Sequence, residues 1–266
     1  MQSLPTLLFF SGNDPSGGAG LAADTAVALS LGCHPAPVVT AVTVQDTRQV
    51  YGYEPISAEM IASQARAVLE DLPVAAVKIG MLGSAEAVEA VQGVLRDYPH
   101  IPVVLDPVLS GGGGGMLSDI DLPEAVRRLL LPQVTLLTPN LPEALRLAGD
   151  ADGCDAAGAV LRALGSEYVL ITGGHAKGDE VVNRLYSPHG GCNSMRWPRL
   201  PGEYHGSGCT LAAAAAAFIA QGESPAAAAR SAQRYTWNSL RAAYKTGQGQ
   251  NLPDRLFWAR HQETSP

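Results

Sequence analysis

A glycine-flanked cysteine stands before an alanine-rich stretch in the last quarter of the sequence. The segment Gly206-Ser207-Gly208-Cys209 leads directly into that stretch. A Gly-x-Gly turn before strong helix formers predicts a helix N-terminus, whose free N–H groups and dipole favour a bound anion such as phosphate. In the first turn of such a helix, the pKa of the Cys209 thiol is expected to fall, which makes a reactive thiolate accessible. The alternative is that Cys209 is a small buried hydrophobic residue.

A second group of residues has side-chain oxygen atoms that could bind a metal ion. Asp106 follows a short apolar run, and Asn140 and Glu143 are three residues apart where a predicted strand passes into a helix. Amide and carboxylate oxygens suit Mg²⁺ that is bound together with a nucleotide phosphate. Glu143 also has the spacing of a helix capping box. The two interpretations, metal site and helix cap, both stay open on these residues alone.

A glycine-rich turn, Gly17-Gly18-Ala19-Gly20, opens the first predicted helix and is followed one turn later by Asp24. Its spacing matches neither the G-x-G-x-x-G fingerprint of dinucleotide-binding folds nor the P-loop, so neither class is indicated. Asp24 is interpreted either as a solvated carboxylate or, because it lies close to the glycine turn, as a substrate contact.

The elements that must position these residues alternate along the chain. Apolar runs typical of strands covered on both faces occur at residues 6–10, 36–44, 75–80, 103–105, 134–137 and 168–172. Helices are predicted between them at residues 21–31, 59–72, 85–98, 122–131 and 156–164. Beyond Gly174 the pattern predicts two antiparallel strands, then two helices, at residues 181–186, 194–200, 208–221 and 225–244. We therefore expect a single α/β domain over residues 1–266, with a doubly wound, mostly parallel sheet, helices on both faces and an antiparallel edge.

Polar residues and glycines follow almost every predicted strand. In an open α/β sheet the ligand crevice lies outside the carboxyl ends of the strands, so this arrangement favours one site at that edge.

The composition excludes several classes of protein. The chain of 266 residues has a formal net charge of −7, with 46% hydrophobic and 16% charged residues. That balance predicts a folded core and argues against nucleic-acid binding through clustered cations. No apolar run approaches the roughly 20 residues of a membrane span. The absence of a signal-like N-terminus and the four dispersed cysteines favour a cytoplasmic enzyme.

Six segments of the chain resemble the hydroxymethylpyrimidine/phosphomethylpyrimidine kinases of thiamine biosynthesis, which have the ribokinase-like fold. They occur in the order of that family, at residues 16–20, 40–47, 77–83, 106–108, 138–144 and 205–211. The resemblance implies ATP-dependent phosphorylation of 4-amino-5-hydroxymethyl-2-methylpyrimidine and then of its monophosphate. It also implies homodimers, because members of the family are often dimeric.

The resemblance assigns roles to individual positions. The pyrimidine would be surrounded by Gly12, Asp24, Val42, Gln45, Met81 and Val108. The Gln45 amide offers both a donor and an acceptor to an aminopyrimidine edge. Cys209 would take the proton of the substrate hydroxyl, while the backbone N–H groups of Gly206, Ser207 and Gly208 stabilise the transferred phosphoryl group.

The nucleotide end of the site follows from the same resemblance. Asp106 and Glu143 would position Mg²⁺, and Asn140, Thr172 and Gly174 would contact ATP. Many members carry a lysine where Thr172 stands, so His205, Arg184 and Arg196 are candidates for the missing charge. The run of five glycines at residues 111–115 is interpreted as a mobile lid over the phosphates.

Three other functions remain open. A pyridoxal kinase of the same fold would also phosphorylate a hydroxymethyl group on an aromatic ring. Cys209 could instead be the nucleophile of a hydrolase or acyltransferase, or the protein could bind a pyrimidine without catalysis. The sequence assigns no role to the tail at residues 246–266, which could pack back on the domain or contact a partner.

Overall fold

Short strands rich in Val, Leu and Ile form the centre of the molecule. The computed structural model describes residues 4–109 and 122–260. Within them, one sheet has the strand order β3-β2-β1-β4-β5-β6-β7-β8-β9. The strands are β1 Thr6–Asn13, β2 His34–Gln45, β3 Val50–Pro55, β4 Val74–Ile79, β5 Val103–Leu105, β6 Leu136–Leu137, β7 Tyr168–Ile171, β8 Glu180–Tyr186 and β9 Cys192–Pro198.

The strand directions confirm the expected doubly wound sheet with an antiparallel edge. Strands β2, β1, β4, β5, β6 and β7 run parallel, whereas β8 and β9 pair antiparallel beyond β7. A third antiparallel-paired strand, β3, lies at the other edge against β2 and was not predicted. Its residues are half-buried or exposed, so β3 lacks the continuous apolar run that marks the inner strands.

Helices cover both faces of the sheet. They are α1 Gly20–Ser30, α2 Ala58–Asp71, α3 Ala85–Asp97, α4 Leu122–Ala125, α5 Leu141–Ala148, α6 Cys154–Ala163, α7 Ser207–Ala220, α8 Pro225–Arg241 and α9 Phe257–Arg260. Helices α2, α3, α5 and α6 contribute to one hydrophobic core, and α1, α7 and α8 contribute to the other. The prediction of one regular α-helix at residues 122–131 is wrong. Helix α4 ends at Ala125, and the chain continues as a π-helical turn over Val126–Leu130.

Helix α7 lies against the middle of the sheet. The alanines at residues 212–217 are completely buried, and the helix packs on β4, β5, α1 and α8. Small side chains let the helix approach the strands closely, which fixes the position of its N-terminus at the carboxyl edge of the sheet.

The described residues contain no helix that is long and apolar enough to cross a membrane. The glycine run at residues 111–115, interpreted above as a lid, lies outside the described residues.

Candidate active site

The N-terminus of α7 is built on a glycine in a left-handed conformation. Gly206 has a φ of +79° and precedes the first helical residue, Ser207. A Cβ atom on Gly206 would overlap the carbonyl oxygen of Gly18, so both the conformation and the close approach require glycine. Gly206 is the N-cap residue and, as a glycine, has no side chain that could cap this helix end. The predicted helix start is confirmed, and the N-terminus of a helix presents backbone N–H groups to which an anion can bind.

Asp106 faces that first turn. A Cβ atom built on Gly208 would lie 3.5 Å from Asp106 Oδ2, and the Cys209 side chain acts to lower the pKa of Asp106. Burial raises the pKa of Asp106 to about 6, although the charge of Lys78 opposes the shift. The carboxyl end of β5 therefore lies next to the first turn of α7.

Cys209 lies among these groups, and its expected acidity is corrected by the structure. Burial raises the pKa of the Cys209 thiol to about 11, and the charges of Asp106 and Asp24 add to the shift. Lys78 and the backbone of Gly20 act in the opposite direction but do not outweigh burial. The shift has the opposite direction to the one predicted for a helix N-terminus, because burial and the two carboxylates outweigh Lys78 and the Gly20 backbone.

Asn140 and Glu143 form the capping box that their spacing permitted. Asn140 Oδ1 accepts a hydrogen bond from the Glu143 N–H at 2.9 Å, and Glu143 Oε2 accepts one from the Asn140 N–H at 3.0 Å. Burial raises the pKa of Glu143 to about 8, and the charge of Asp106 raises it further. The two carboxyl groups therefore interact electrostatically, and a bound cation would relieve their repulsion.

The donor set fits magnesium in the company of phosphate. Among residues 4–109 and 122–260, no three His, Cys, Asp or Glu side chains are arranged to hold a metal by themselves. Mg²⁺ in phosphoryl-transfer sites is commonly bound by one or two carboxylates, with substrate phosphates and waters completing its octahedron. Asp106 and Glu143 are buried oxygen donors that match this pattern.

Three of the residues predicted to surround the pyrimidine come together. Met81 packs in a small apolar cluster with Ala41 and Val108. Gly12 adjoins this cluster, since a Cβ atom on it would lie 3.2 Å from Met81 Sδ. The Thr40 hydroxyl donates a 2.5 Å hydrogen bond to the Met81 carbonyl oxygen and fixes the strand end.

Val42 and Gln45 lie further along β2. Val42 is exposed, and Gln45 Nε2 donates a hydrogen bond to Thr43 Oγ1 at 2.7 Å. A recess of about 360 Å³ opens beside Gln45, lined in part by Ser16 and Thr47. This end of the crevice is therefore open and polar.

Asp24 does not reach the crevice surface. Its carboxylate is completely buried and lies 2.8 Å from Lys78 Nζ. The expectation of direct contact with the substrate is corrected, because the charge of Asp24 is already paired and inaccessible in this structure. Burial raises the pKa of Asp24, with Lys78 opposing the shift.

The residues predicted to contact ATP lie on adjacent strand ends. Asn140 and Thr172 form a β-bridge, and the Thr172 N–H donates to the Pro139 carbonyl at 2.9 Å. The exposed Gly174 begins the loop between β7 and β8, and its carbonyl accepts a 2.9 Å hydrogen bond from Arg199 Nη1.

Two of the candidates for the missing charge are already paired. His205 Nε2 lies 2.8 Å from Asp14 Oδ2, and Arg196 Nη1 lies 2.9 Å from Glu180 Oε2. Asp14 also accepts hydrogen bonds from the Ser16 and Ala19 N–H groups, each at 2.8 Å. Asp14 and His205 thereby join the first glycine turn to the turn before α7.

Sequence reasoning missed Lys78 and Arg255 as parts of the site. Lys78 could have been noticed as the one charge in the otherwise apolar strand β4. Arg255 carries no local signal, since it lies in the tail and reaches the site only through the fold. It donates hydrogen bonds to Thr210 Oγ1 and to the Gly18 carbonyl.

Comparisons with known proteins find relatives over most of the chain. The family model described as phosphomethylpyrimidine kinase matches residues 14–254. A hydroxymethylpyrimidine/phosphomethylpyrimidine kinase of Streptomyces coelicolor is 42% identical over 252 residues, which is 92% of each chain. One of Mycobacterium tuberculosis is 38% identical over 95% of this chain and 94% of its own.

Solved structures of two kinases superpose over nearly the whole chain. An ADP complex of Bacillus subtilis pyridoxal kinase has a TM-score of 0.87 at 26% identity, covering 97% of this chain and all of that one. A phosphomethylpyrimidine kinase of Clostridium difficile has a TM-score of 0.76 at 32% identity, covering 90% of this chain and all of that one.

Proposed function

The chain belongs to the phosphomethylpyrimidine kinase family, and we propose that it transfers a phosphoryl group from ATP to 4-amino-5-hydroxymethyl-2-methylpyrimidine and then to the monophosphate. The observation that carries the proposal is the meeting of Asp106 with Gly208 and Cys209 at the free N-terminus of α7. This arrangement joins an anion site to a carboxylate. The proposal assigns the reaction to one ribokinase-like domain over residues 1–266 of a cytoplasmic enzyme.

The N-terminus of α7 has the central role in this proposal. The backbone N–H groups of Gly206, Ser207 and Gly208 donate to the oxygens of the transferring phosphoryl group, where negative charge develops. These donors are fixed before the substrate arrives, because Gly206 is locked by its contact with Gly18. Little reorganisation is then needed during the reaction.

Cys209 takes the proton of the substrate hydroxyl in this scheme. Its thiol is neutral at rest, since burial raises its pKa to about 11. The neighbouring cation Lys78 acts in the direction that favours the thiolate. A proton acceptor with a pKa above that of ordinary thiols is also a stronger base once it is ionised.

Asp106 and Glu143 would hold Mg²⁺ on the ATP phosphates, and the ion would supply charge neutralisation there. Asn140, Thr172 and Gly174 line the nucleotide end at the neighbouring strand ends. Gly12, Met81 and Val108 provide an apolar contact for the pyrimidine ring. Gln45 hydrogen-bonds the aminopyrimidine edge at the open side, beside Val42.

A pyridoxal kinase activity is the second candidate. It is supported by the likeness of the fold to pyridoxal kinases, with TM-scores of 0.85 to 0.87. The higher sequence identity to phosphomethylpyrimidine kinases favours the first candidate.

Product analysis tests the two candidates together. The purified protein is incubated with Mg·ATP and, in separate reactions, the hydroxymethylpyrimidine, its monophosphate and pyridoxal, with products followed by mass spectrometry. We expect pyrimidine monophosphate and diphosphate, with a higher kcat/KM for the pyrimidine than for pyridoxal. A higher kcat/KM for pyridoxal would establish the second candidate instead. Binding of the pyrimidine without ATP turnover, or a covalent acyl adduct on Cys209, would overturn both.

A further inference from the structure

The tail of the chain folds back onto the site and places one of its side chains inside the protein. Tyr244 and Leu252 form an antiparallel bridge, and Tyr204 and Asn251 form a parallel one. The Asn251 carbonyl accepts a hydrogen bond from the His205 N–H at 2.9 Å. The segment therefore runs beside the residue that precedes the anion-binding turn.

Arg255 of this segment is 6% exposed and contacts both glycine turns. Its Nε donates to Thr210 Oγ1 at 3.0 Å, and its Nη2 donates to the Gly18 carbonyl oxygen at 2.5 Å. Thr210 Oγ1 in turn donates to the Gly206 carbonyl at 2.8 Å. One planar guanidinium thus joins the turn before α1 to the turn before α7.

Helix α8 fixes the backbone that carries this guanidinium. The Tyr235 hydroxyl donates to the Arg255 carbonyl at 2.7 Å, and the Asp254 N–H donates to the Ser239 carbonyl at 3.0 Å. The Tyr235 ring also packs on Phe257 with the ring centroids 5.7 Å apart. The backbone on both sides of Arg255 is held, so its side chain enters the core in one orientation.

Gly206, in the turn before α7, has no room for a side chain beside the guanidinium of Arg255. A Cβ atom on Gly206 would lie 2.9 Å from Arg255 Nη2. The guanidinium therefore lies directly beneath the backbone whose N–H groups face the phosphoryl position. Cys209 and Asp24 also interact electrostatically with this guanidinium.

We propose that Arg255 is a positioning residue for the kinase reaction, holding the turns at Gly18 and Gly206 in the geometry that receives the phosphoryl group. This inference rests on the proposed function. It assigns to the C-terminal segment a part in the active site that none of the sequence motifs contains. Arg255 acts through Gly206 and Thr210 and does not touch the substrate.

The experiment compares Arg255→Met and Arg255→Lys with Trp258→Phe. Trp258 belongs to the same segment, is 49% exposed and bonds the Ser30 hydroxyl through Nε1 at 2.9 Å, so its variant is the matched control. We expect Arg255→Met to lower kcat by about 10-fold to 100-fold, as a small misplacement of the site can do. The KM for the pyrimidine should stay nearly unchanged, because Arg255 contacts neither Met81 nor Val108. Arg255→Lys keeps the charge but cannot bond two oxygens in a fork, so it should recover only part of kcat.

Hydrogen–deuterium exchange provides a readout that does not depend on activity. In Arg255→Met, exchange should accelerate in the peptides that contain residues 17–20 and 206–210, and it should not change in Trp258→Phe. An unchanged kcat with unchanged exchange would overturn the inference. So would a fall in kcat that Trp258→Phe reproduces.

A second variant covers the case in which Arg255→Met fails to fold. Thr210→Val keeps the shape of the side chain but removes Oγ1. It therefore breaks the hydrogen bond between Arg255 and Thr210 and leaves the bond between Arg255 and Gly18 in place. It should lower kcat in a folded protein, and full activity there would contradict the inference. If the wild-type protein phosphorylates no substrate, the proposed function is refuted. Hydrogen–deuterium exchange in these variants would still show whether Arg255 holds the two glycine turns in place.

Discussion

Lys78 Nζ lies 2.8 Å from Asp24 Oδ2, and both side chains are completely buried. Burial alone would lower the pKa of Lys78, but the charge of Asp24 raises it above its ordinary value, and Cys209 and Asp106 act in the same direction. The ammonium is therefore a permanent cation beneath the residues proposed for catalysis. Asp24, expected from sequence to touch the substrate, instead holds this cation in place.

Removing only the cation should destabilise the protein severely. In Lys78→Met the Asp24 carboxylate is left buried without its partner, a change that typically costs about 3–5 kcal/mol. The double variant Asp24→Leu/Lys78→Met leaves no unpaired charge and should recover most of that loss. Urea denaturation followed by fluorescence gives the free energy of unfolding of each variant.

The control for this prediction is a pair with similar geometry at the surface. Arg66 Nη2 lies 2.6 Å from Asp97 Oδ2, and both side chains are over two-fifths exposed. Arg66→Ala should change the free energy of unfolding by less than about 1 kcal/mol. Equal losses in Lys78→Met and Arg66→Ala would mean that burial of the Lys78 pair has no energetic importance.

Gly80 should resist substitution because of the same pair. A Cβ atom on Gly80 would lie 2.6 Å from Lys78 Nζ and 2.7 Å from Ser11 Oγ. Gly80→Ala should therefore destabilise the protein by about 1–3 kcal/mol through overpacking. Gly93→Ala is the matched control, since Gly93 lies within α3 and a Cβ atom there would meet open space. That change should stabilise the helix by about 0.5–1 kcal/mol, and a neutral Gly80→Ala in the same thermal melts would contradict the packing argument.

The parts of the fold that sequence predicts are those whose causes are local. The inner strands are apolar runs, and the capping box of Asn140 and Glu143 follows from their spacing. The acidity of Cys209 has its cause elsewhere. Its pKa depends on burial and on Asp106 and Asp24, which lie at the end of β5 and in α1. No local pattern contains those distances, and for the same reason the role of Arg255 was missed.

The stability of the metal-free protein should fall as the pH rises from about 4.5 to about 8. Glu143 has a pKa of about 8 in the folded protein and an ordinary value of 4.5. Between these values the folded state binds one more proton than the unfolded chain, so the free energy of unfolding decreases as pH rises. Glu143→Gln keeps the capping box but cannot ionise. Its unfolding free energy should therefore depend less on pH between 6 and 8 in denaturant titrations.

Glu86→Gln is the control for the pH dependence. Glu86 lies in the first turn of α3, and hydrogen bonds with its own backbone N–H and with Ser84 lower its pKa. Glu86 is thus ionised in both states between pH 6 and 8, and its replacement should leave the slope unchanged. If Glu143→Gln showed the wild-type slope, the raised pKa of Glu143 would be refuted.

Cys209→Ala tests the proton acceptor of the proposed reaction. The substitution removes the thiol but keeps a small apolar side chain in the first turn of α7, so the backbone N–H groups stay in place. Loss of a general base typically costs about 10²–10⁴ in rate. We expect kcat to fall in that range while the dissociation constant for the pyrimidine, measured by calorimetry, stays close to that of the wild type. Unchanged kcat would remove Cys209 from the mechanism.

The acidity of Cys209 can be measured directly by alkylation. Iodoacetamide reacts with thiolates, and a thiol whose pKa is about 11 is mostly protonated at neutral pH. The alkylation rate of the peptide that contains Cys209 should therefore rise about tenfold per pH unit from pH 7 to 10 without a plateau. Cys192 is exposed in the same protein and serves as the internal reference for accessibility to the reagent. A plateau of the Cys209 rate near pH 8 would show that the helix N-terminus prevails over burial, because only a pKa below the ordinary value of 9.0 would leave the thiol almost fully ionised there.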